Sequence, residues 1–154
     1  MEKNVIISVR GTQTVGGNSS GVMELMTEGM FYRKDNSYYL AYNESGQYGF
    51  DDANTMIEIS DGTLKFIRFG MINAQFIFQQ GKKYISHYDT PHGSFTFCVF
   101  TNNINIDVDD NGGVINIDYM LELENGPSAL NDFYVRISEP GKKPGVQNEH
   151  FFKM

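Results

Sequence analysis

Cysteine is almost absent from this sequence, and tryptophan is wholly absent. Cys98 is the single thiol, so no disulfide can form within the chain. It sits in the apolar run Phe95 to Phe100, where a buried structural thiol is expected rather than a reactive one. Positive charge is also scarce: twelve Lys and Arg face nineteen Asp and Glu, a formal charge of −7. Phosphate backbones are held mainly by basic side chains, so this balance argues against nucleic-acid binding. The basic residues are scattered besides, with the pairs Lys82-Lys83 and Lys142-Lys143 in a turn and in the tail. No run approaches the roughly 20 apolar residues of a membrane-spanning helix, and the opening MEKNVIISVR lacks the apolar core of a signal peptide. No membrane association and a cytoplasmic location are the resulting expectations.

What the chain has in abundance is alternation. Apolar and polar residues exchange at period two nearly throughout, which is the strand signal. The twelve Phe and nine Tyr suit a pleated, half-buried surface. Turn dipeptides punctuate the runs: Asp35-Asn36, Asp61-Gly62, Gln80-Gly81 and Asn111-Gly112. Further breaks fall at Gly16 to Gly21, Gly46 to Asn54, Thr90 to Gly93 and Gly126 to Ser128, with at most a helical turn at Asp51 to Asn54. About ten strands result, over 4–14, 22–34, 37–44, 54–60, 63–70, 73–79, 82–89, 94–109, 113–124 and 130–138. The eighth is expected to bend near Asn102-Asn103, where the alternation weakens. A meander of this many twisted strands tends to close on itself, which removes unpaired edges. The expected fold is all-β, a single antiparallel meander closed into a barrel over residues 1–138. The stretch 139–154, with its Pro and Gly residues, reads as a flexible or loosely docked tail whose Phe151-Phe152 could rest on the barrel.

Several strands are apolar on both faces. Leu64 and Phe66 oppose Ile67 and Phe69; Phe76 and Phe78 oppose Ile77; Phe97 and Val99 oppose Cys98 and Phe100. A barrel needs only its interior to be apolar, so something should cover the outside. The tail or a long loop could serve, or a second subunit, and a two-fold homodimer through Ile67, Phe69, Ile77 and Phe100 is the favoured cover.

Motifs for chemistry are few. DVDDNG at 107–112 matches the opening of a calcium loop, with Asp107, Asp109 and Asn111 at alternate positions and Asp118 further on. Its flanks are alternating β-formers rather than helices, so a hairpin turn is the expected reading. His87 and Asp89 share a strand face, with His92 in the turn that follows, yet no fourth ligand is near and His150 lies in the tail. No metal and no cofactor are expected. Ser86 and Ser94 lack a nucleophile motif around them. Glu24 with Glu28 is a carboxylate pair on one strand face, and GGNSSG at 16–21 lacks the lysine of a phosphate loop. An enzyme is the disfavoured reading.

The informative residues are polar groups within apolar strands. Arg10 follows VIISV, Arg68 lies in FIRFG on the side of Leu64 and Phe66, and Asn73 and Gln75 open the next strand. A charge inside a barrel must be paired, with Glu28 or an Asp of the same lumen as candidate partner. A plain structural salt bridge at the barrel mouth is the commoner arrangement for such an Arg. An aromatic-lined pocket with a few converging polar groups is the usual form of a small-molecule site. Arg10, Glu28, Arg68, Asn73, Gln75 and Tyr88 form the candidate ligand set.

With these residues in view, the chain resembles the YwiB-like family of small bacterial proteins. The likeness is carried by RGTQ at 10–13, LMTEG at 25–29 with Phe31-Tyr32, and YLAYNE at 39–44. It continues through Phe69-Gly70 with Asn73, Gln75 and Phe78, YDTPHGSF at 88–95, and DDNGG at 109–113. It spans roughly residues 3 to 138. The resemblance implies a calycin-like β-barrel and supports the hairpin reading of DDNGG; it implies no activity and no ligand. Where the family more often has Tyr after Thr-Pro, this chain has His92. Two functions follow as expectations: a lipocalin-like carrier of a small apolar or anionic ligand, or an interaction protein acting through its apolar outer face.

Overall fold

The computed structural model describes residues 1–15, 18–43, 53–70, 72–123, 126 and 128–141. Ten strands follow one another: β1 (Glu2–Val15), β2 (Asn18–Lys34), β3 (Ser37–Asn43), β4 (Ala53–Ser60), β5 (Thr63–Gly70), β6 (Asn73–Gln79), β7 (Lys83–Thr90), β8 (Gly93–Asp109), β9 (Gly112–Leu123) and β10 (Ser128–Ser138). Each pairs antiparallel with its sequence neighbour, and β1 pairs with β10 from Ile6↔Ser138 to Thr14↔Leu130, closing the barrel. No helix is present among the described residues, and none is long and apolar enough to cross a membrane.

Local chemistry sets the turns. At β4–β5, Asp61 and Gly62 have φ of 45° and 79°, the paired positive angles of a tight hairpin, between the last rung Ser60↔Thr63. The DVDDNG run is a hairpin too, but the turn sits one residue earlier than Asn111-Gly112. Asp110 and Asn111 lie between the rung Asp109↔Gly112, and the Asn111 amide donates to Asp109 Oδ1 at 2.8 Å. Asp110 reaches across to accept from Tyr38 Oη at 2.7 Å and Arg33 Nη1 at 3.1 Å, tying this turn to the β2–β3 hairpin.

Two irregularities redirect strands. β8 shifts register between Thr101 and Asn103, so Asn102 opposes no single partner and inward-facing positions change from odd to even numbers. That is the bend the weakened alternation predicts. A second shift lies between Gln13 and Thr14 of β1. Beyond it, pairing continues through Thr14↔Ser19 to Val15↔Asn18, so the break expected over Gly16 to Gly21 is already strand from Asn18. The Asp51 to Asn54 turn is overturned at its end: Ala53 and Asn54 belong to β4, and the preceding residues 44–52 lie outside the described ones. So do His150, Phe151 and Phe152, with the rest of the tail beyond Gly141.

The register decides which face is interior. Val5, Ile7, Val9, Phe31, Leu40, Ile57, Leu64, Val99, Ile115, Ile117 and Val135 turn inward and are fully or almost fully buried. These branched and aromatic side chains pack the body of the barrel. Burial of each contributes on the order of 1.5–3 kcal/mol. A recess of about 320 Å³ lined by Tyr38, Ile59, Ile104, Ile106 and Val108 lies at the end by the Asp61-Gly62 turn. Cys98 points outward and is half-buried, a correction to the expected core position, because it alternates with the inward Phe97 and Val99.

Candidate functional site

The end of the barrel away from the Asp61-Gly62 turn is not filled either. A cavity of about 380 Å³ is lined by residues of β1, β2, β5, β6, β9 and β10, among them Gln13, Phe66, Arg68, Tyr119 and Asn131, with Asp132 as the one carboxylate on its lining. Its walls are aromatic. Phe66 meets Phe133 edge-on with ring centroids 5.8 Å apart and tilts against Phe76 at 6.3 Å, while Phe78 packs on Tyr119 at 4.8 Å. Rings of fixed shape held by several strands leave the space between them open.

Polar groups enter this apolar space at three places. Arg68 sits on the same face of β5 as Leu64 and Phe66, and its guanidinium carbon lies 5.2 Å from the centre of the Phe66 ring. Tyr119 follows Ile115 and Ile117 on the inner face of β9. Burial pushes its phenol up to about 12, and the nearby Arg68 charge pulls it back down. Its hydroxyl is therefore a neutral donor at physiological pH. Gln13 Nε2 donates to Asn131 Oδ1 at 3.1 Å between the inward faces of β1 and β10. A cationic centre, a neutral hydroxyl and an amide pair within aromatic walls can hold an anionic group while burying an apolar one.

The structure separates the six residues the sequence singles out. Arg68 faces the cavity. Tyr88 also turns inward, but it packs behind the cavity wall, against Phe76 at 6.4 Å and Phe97 at 5.9 Å. Arg10, Glu28, Asn73 and Gln75 lie on the outer face: Val5, Ile7 and Val9 take the interior positions of β1, Leu25 and Phe31 those of β2, and Ala74 and Phe78 those of β6. Arg10 instead faces Glu24 at 3.8 Å on the surface, and Glu28 cannot reach Arg68 from the outside. His87 and Asp89 share the exposed face of β7, where His87 Nδ1 lies 3.3 Å from Thr96 Oγ1, and His92 is in the turn. Ile67, Phe69, Ile77 and Phe100 all lie on the outer face, and Phe69 is 44% exposed.

Tyr119, Gln13 and Asn131 are the cavity residues that a search for charges in apolar strands passes over. Parity carried the signal, since each alternates in step with buried neighbours: Tyr119 with Ile117, Gln13 with Val9, Asn131 with Val135.

Comparison with known proteins places this geometry among barrels. A sequence family described as "Domain of unknown function (DUF1934)" matches residues 7–135. The chain is 26% identical over 134 residues to the uncharacterized beta-barrel protein YwiB of Bacillus subtilis (strain 168), covering 87% of this chain and 92% of that protein. The crystal structure of the ywiB protein from Bacillus subtilis superposes with a TM-score of 0.78 at 25% identity, over 90% of this chain and 92% of the other.

Proposed function

The chain belongs to the DUF1934 family, and from that premise we propose that it binds a small amphiphilic anion inside a calycin-like barrel. The observation that carries the reading is the cavity of about 380 Å³ with Arg68 set into aromatic walls. Its size falls at the lower end of the roughly 300–1,000 Å³ usual for ligand pockets, enough for an apolar body of about ten carbons. Arg68 supplies charge-assisted hydrogen bonds to a carboxylate or phosphate, and Tyr119 adds a neutral donor that does not repel it. The ligand is carried or sensed rather than transformed, since the carboxylates and histidines singled out above, Glu24, Glu28, His87 and Asp89, all lie on the outer face. A single thiol suits a reducing cytoplasm.

Native mass spectrometry with decanoate, decanol and decylammonium tests this. The expected outcome is a one-to-one complex with decanoate that is tighter than with the two others. Arg68→Gln removes that preference, with a loss of about tenfold or more in decanoate affinity. Equal binding of all three by the native protein and by the variant would sink the proposal.

A second reading rests on the outer face. Phe69 is 44% and Ile85 69% exposed, next to Ile67 and Ile77, a surface suited to a second copy of the chain in a two-fold dimer.

A further inference from the structure

Among the described residues, the barrel wall is least paired between β6 and β7. Those strands share only two rungs, Asn73↔Asp89 and Ala74↔Tyr88, whereas β1 and β2 pair along fourteen positions from Glu2↔Tyr32 to Val15↔Asn18. Below Ala74 the two strands part. The turn that joins them is drawn instead towards β8: Gly81 N donates to Thr101 O at 2.9 Å, and Thr101 N to Lys82 O at 3.2 Å. The result is a fissure, open on the outside as a groove of about 520 Å³.

Three features show that the groove enters the wall rather than lying on it. Ala74 and Ser86 line it, although both belong to the inner face and are 7% and 3% exposed. Arg68 lines it too, and Arg68 is the one residue shared with the lumen cavity. Phe76, which walls the cavity, packs on Tyr88 at the last rung of the parted strands. The two spaces differ in their polar groups. Both have largely apolar walls, Phe rings inside and Ile67, Phe69, Ile77 and Ile85 outside. The outer rim adds Asn73, Gln75, His87 and the carboxylate of Asp89, where the lumen has Gln13, Tyr119 and Asn131, with Asp132 also on the lumen's lining.

We propose that the cavity and the groove form one site crossing the barrel wall, filled by a single-chain amphiphile whose acid group is internal: an alkyl chain in the lumen, a phosphodiester on Arg68, and a cationic head by Asp89. This rests on the lumen-binding reading above and narrows its ligand class. A terminal acid would use the inner chamber alone. A diester occupies both, because the chain leaves its phosphate on one side and the head on the other.

The sequence has no tryptophan, so Ile85→Trp places a single indole on the groove at a position that is 69% exposed. Decylphosphocholine and decyl phosphate serve as probes, each below its micelle concentration, with affinity read by calorimetry. Both are expected to bind one per barrel. Only the phosphocholine shifts the indole emission to the blue, and Arg68→Gln weakens it about tenfold or more. Should Arg68→Gln fold poorly, Asp89→Asn on the outer rim gives the same discrimination, weakening the phosphocholine and leaving decyl phosphate unchanged. Binding of decyl phosphate without the phosphocholine, or of the phosphocholine with an unmoved indole, overturns the wall-crossing site while the lumen reading stands. Failure of both probes overturns the two together. An indole shift that survives Arg68→Gln undiminished marks a separate surface site, and an emission already blue without ligand that reddens on dilution marks a subunit interface; either overturns the inference.

Discussion

At the scale of single residues, the outer surface contains one arrangement that works against stability. Asp118 of β9 and Asp132 of β10 are cross-strand partners. The Asp132 carboxyl is raised above the ordinary carboxylate range by burial first, then by the hydrogen bond and charge of Asp118, with Arg10 opposing. A raised folded-state value means the native protein holds this proton more tightly than the unfolded chain does. Stability from this site is therefore greatest below the ordinary carboxylate value and falls as pH rises through the folded one. Asp132→Asn should be more stable than the native protein at neutral pH, by a few tenths of a kcal/mol to about 1 kcal/mol, the scale of exposed, solvent-screened cross-strand pairs. Urea melts at neutral pH and below about pH 3.5 check this, because the gain should vanish where the native carboxyl is protonated in both states.

At the scale of elements, the β8–β9 hairpin is the most demanding. Gly112 has φ of 109°, and a methyl group there would meet the Ile137 carbonyl of β10. Gly112→Ala should cost about 2 kcal/mol or more, combining backbone strain with a displaced neighbouring strand, and a lowered melting temperature with unchanged strand content measures it. This is also the element where sequence and structure agree most instructively. Asp-Asp-Asn-Gly-Gly between alternating runs was legible as a turn, since only a hairpin uses both flanks as strands. Its placement one residue earlier depended on Asp109 capping the Asn111 amide, an interaction that several Asp and Asn in a row can make equally well on paper. The bend at Asn102 was legible for a similar reason, because parity fails there. The cavity was legible only in part. Arg68 could be assigned to the face of Leu64 and Phe66 within its own strand, whereas Gln13, Tyr119 and Asn131 come from strands whose mutual register no local pattern specifies. Arg10 misled because it follows an apolar run, VIISV, whose inward members are Val5, Ile7 and Val9 and so leave Arg10 outside.

At the scale of the whole molecule, the apolar patch around Phe69 bears on assembly. If two barrels pair through it, Phe69→Glu places a carboxylate in the buried centre of the contact and should convert a dimer into a folded monomer. Light scattering at micromolar concentration together with an unchanged circular dichroism spectrum is the measurement. A native protein that is monomeric at the outset counts against pairing.

The closing seam has a consequence for how the chain is made. Ile6 and Ser138 are partners, so the contacts that complete the wall join positions more than a hundred residues apart. Such distant pairings are slow to form, since the loop between them must first be ordered. During synthesis β1 and β2 can zip as soon as they emerge, but β1 keeps a bare edge until β10 has left the ribosome. A nascent chain halted after β9 carries two open strand edges, on β1 and β9, and an interior of Phe and Ile with one wall missing. The same seam that covers the β1 and β9 edges in the finished barrel thus makes every copy that lacks β10 adhesive.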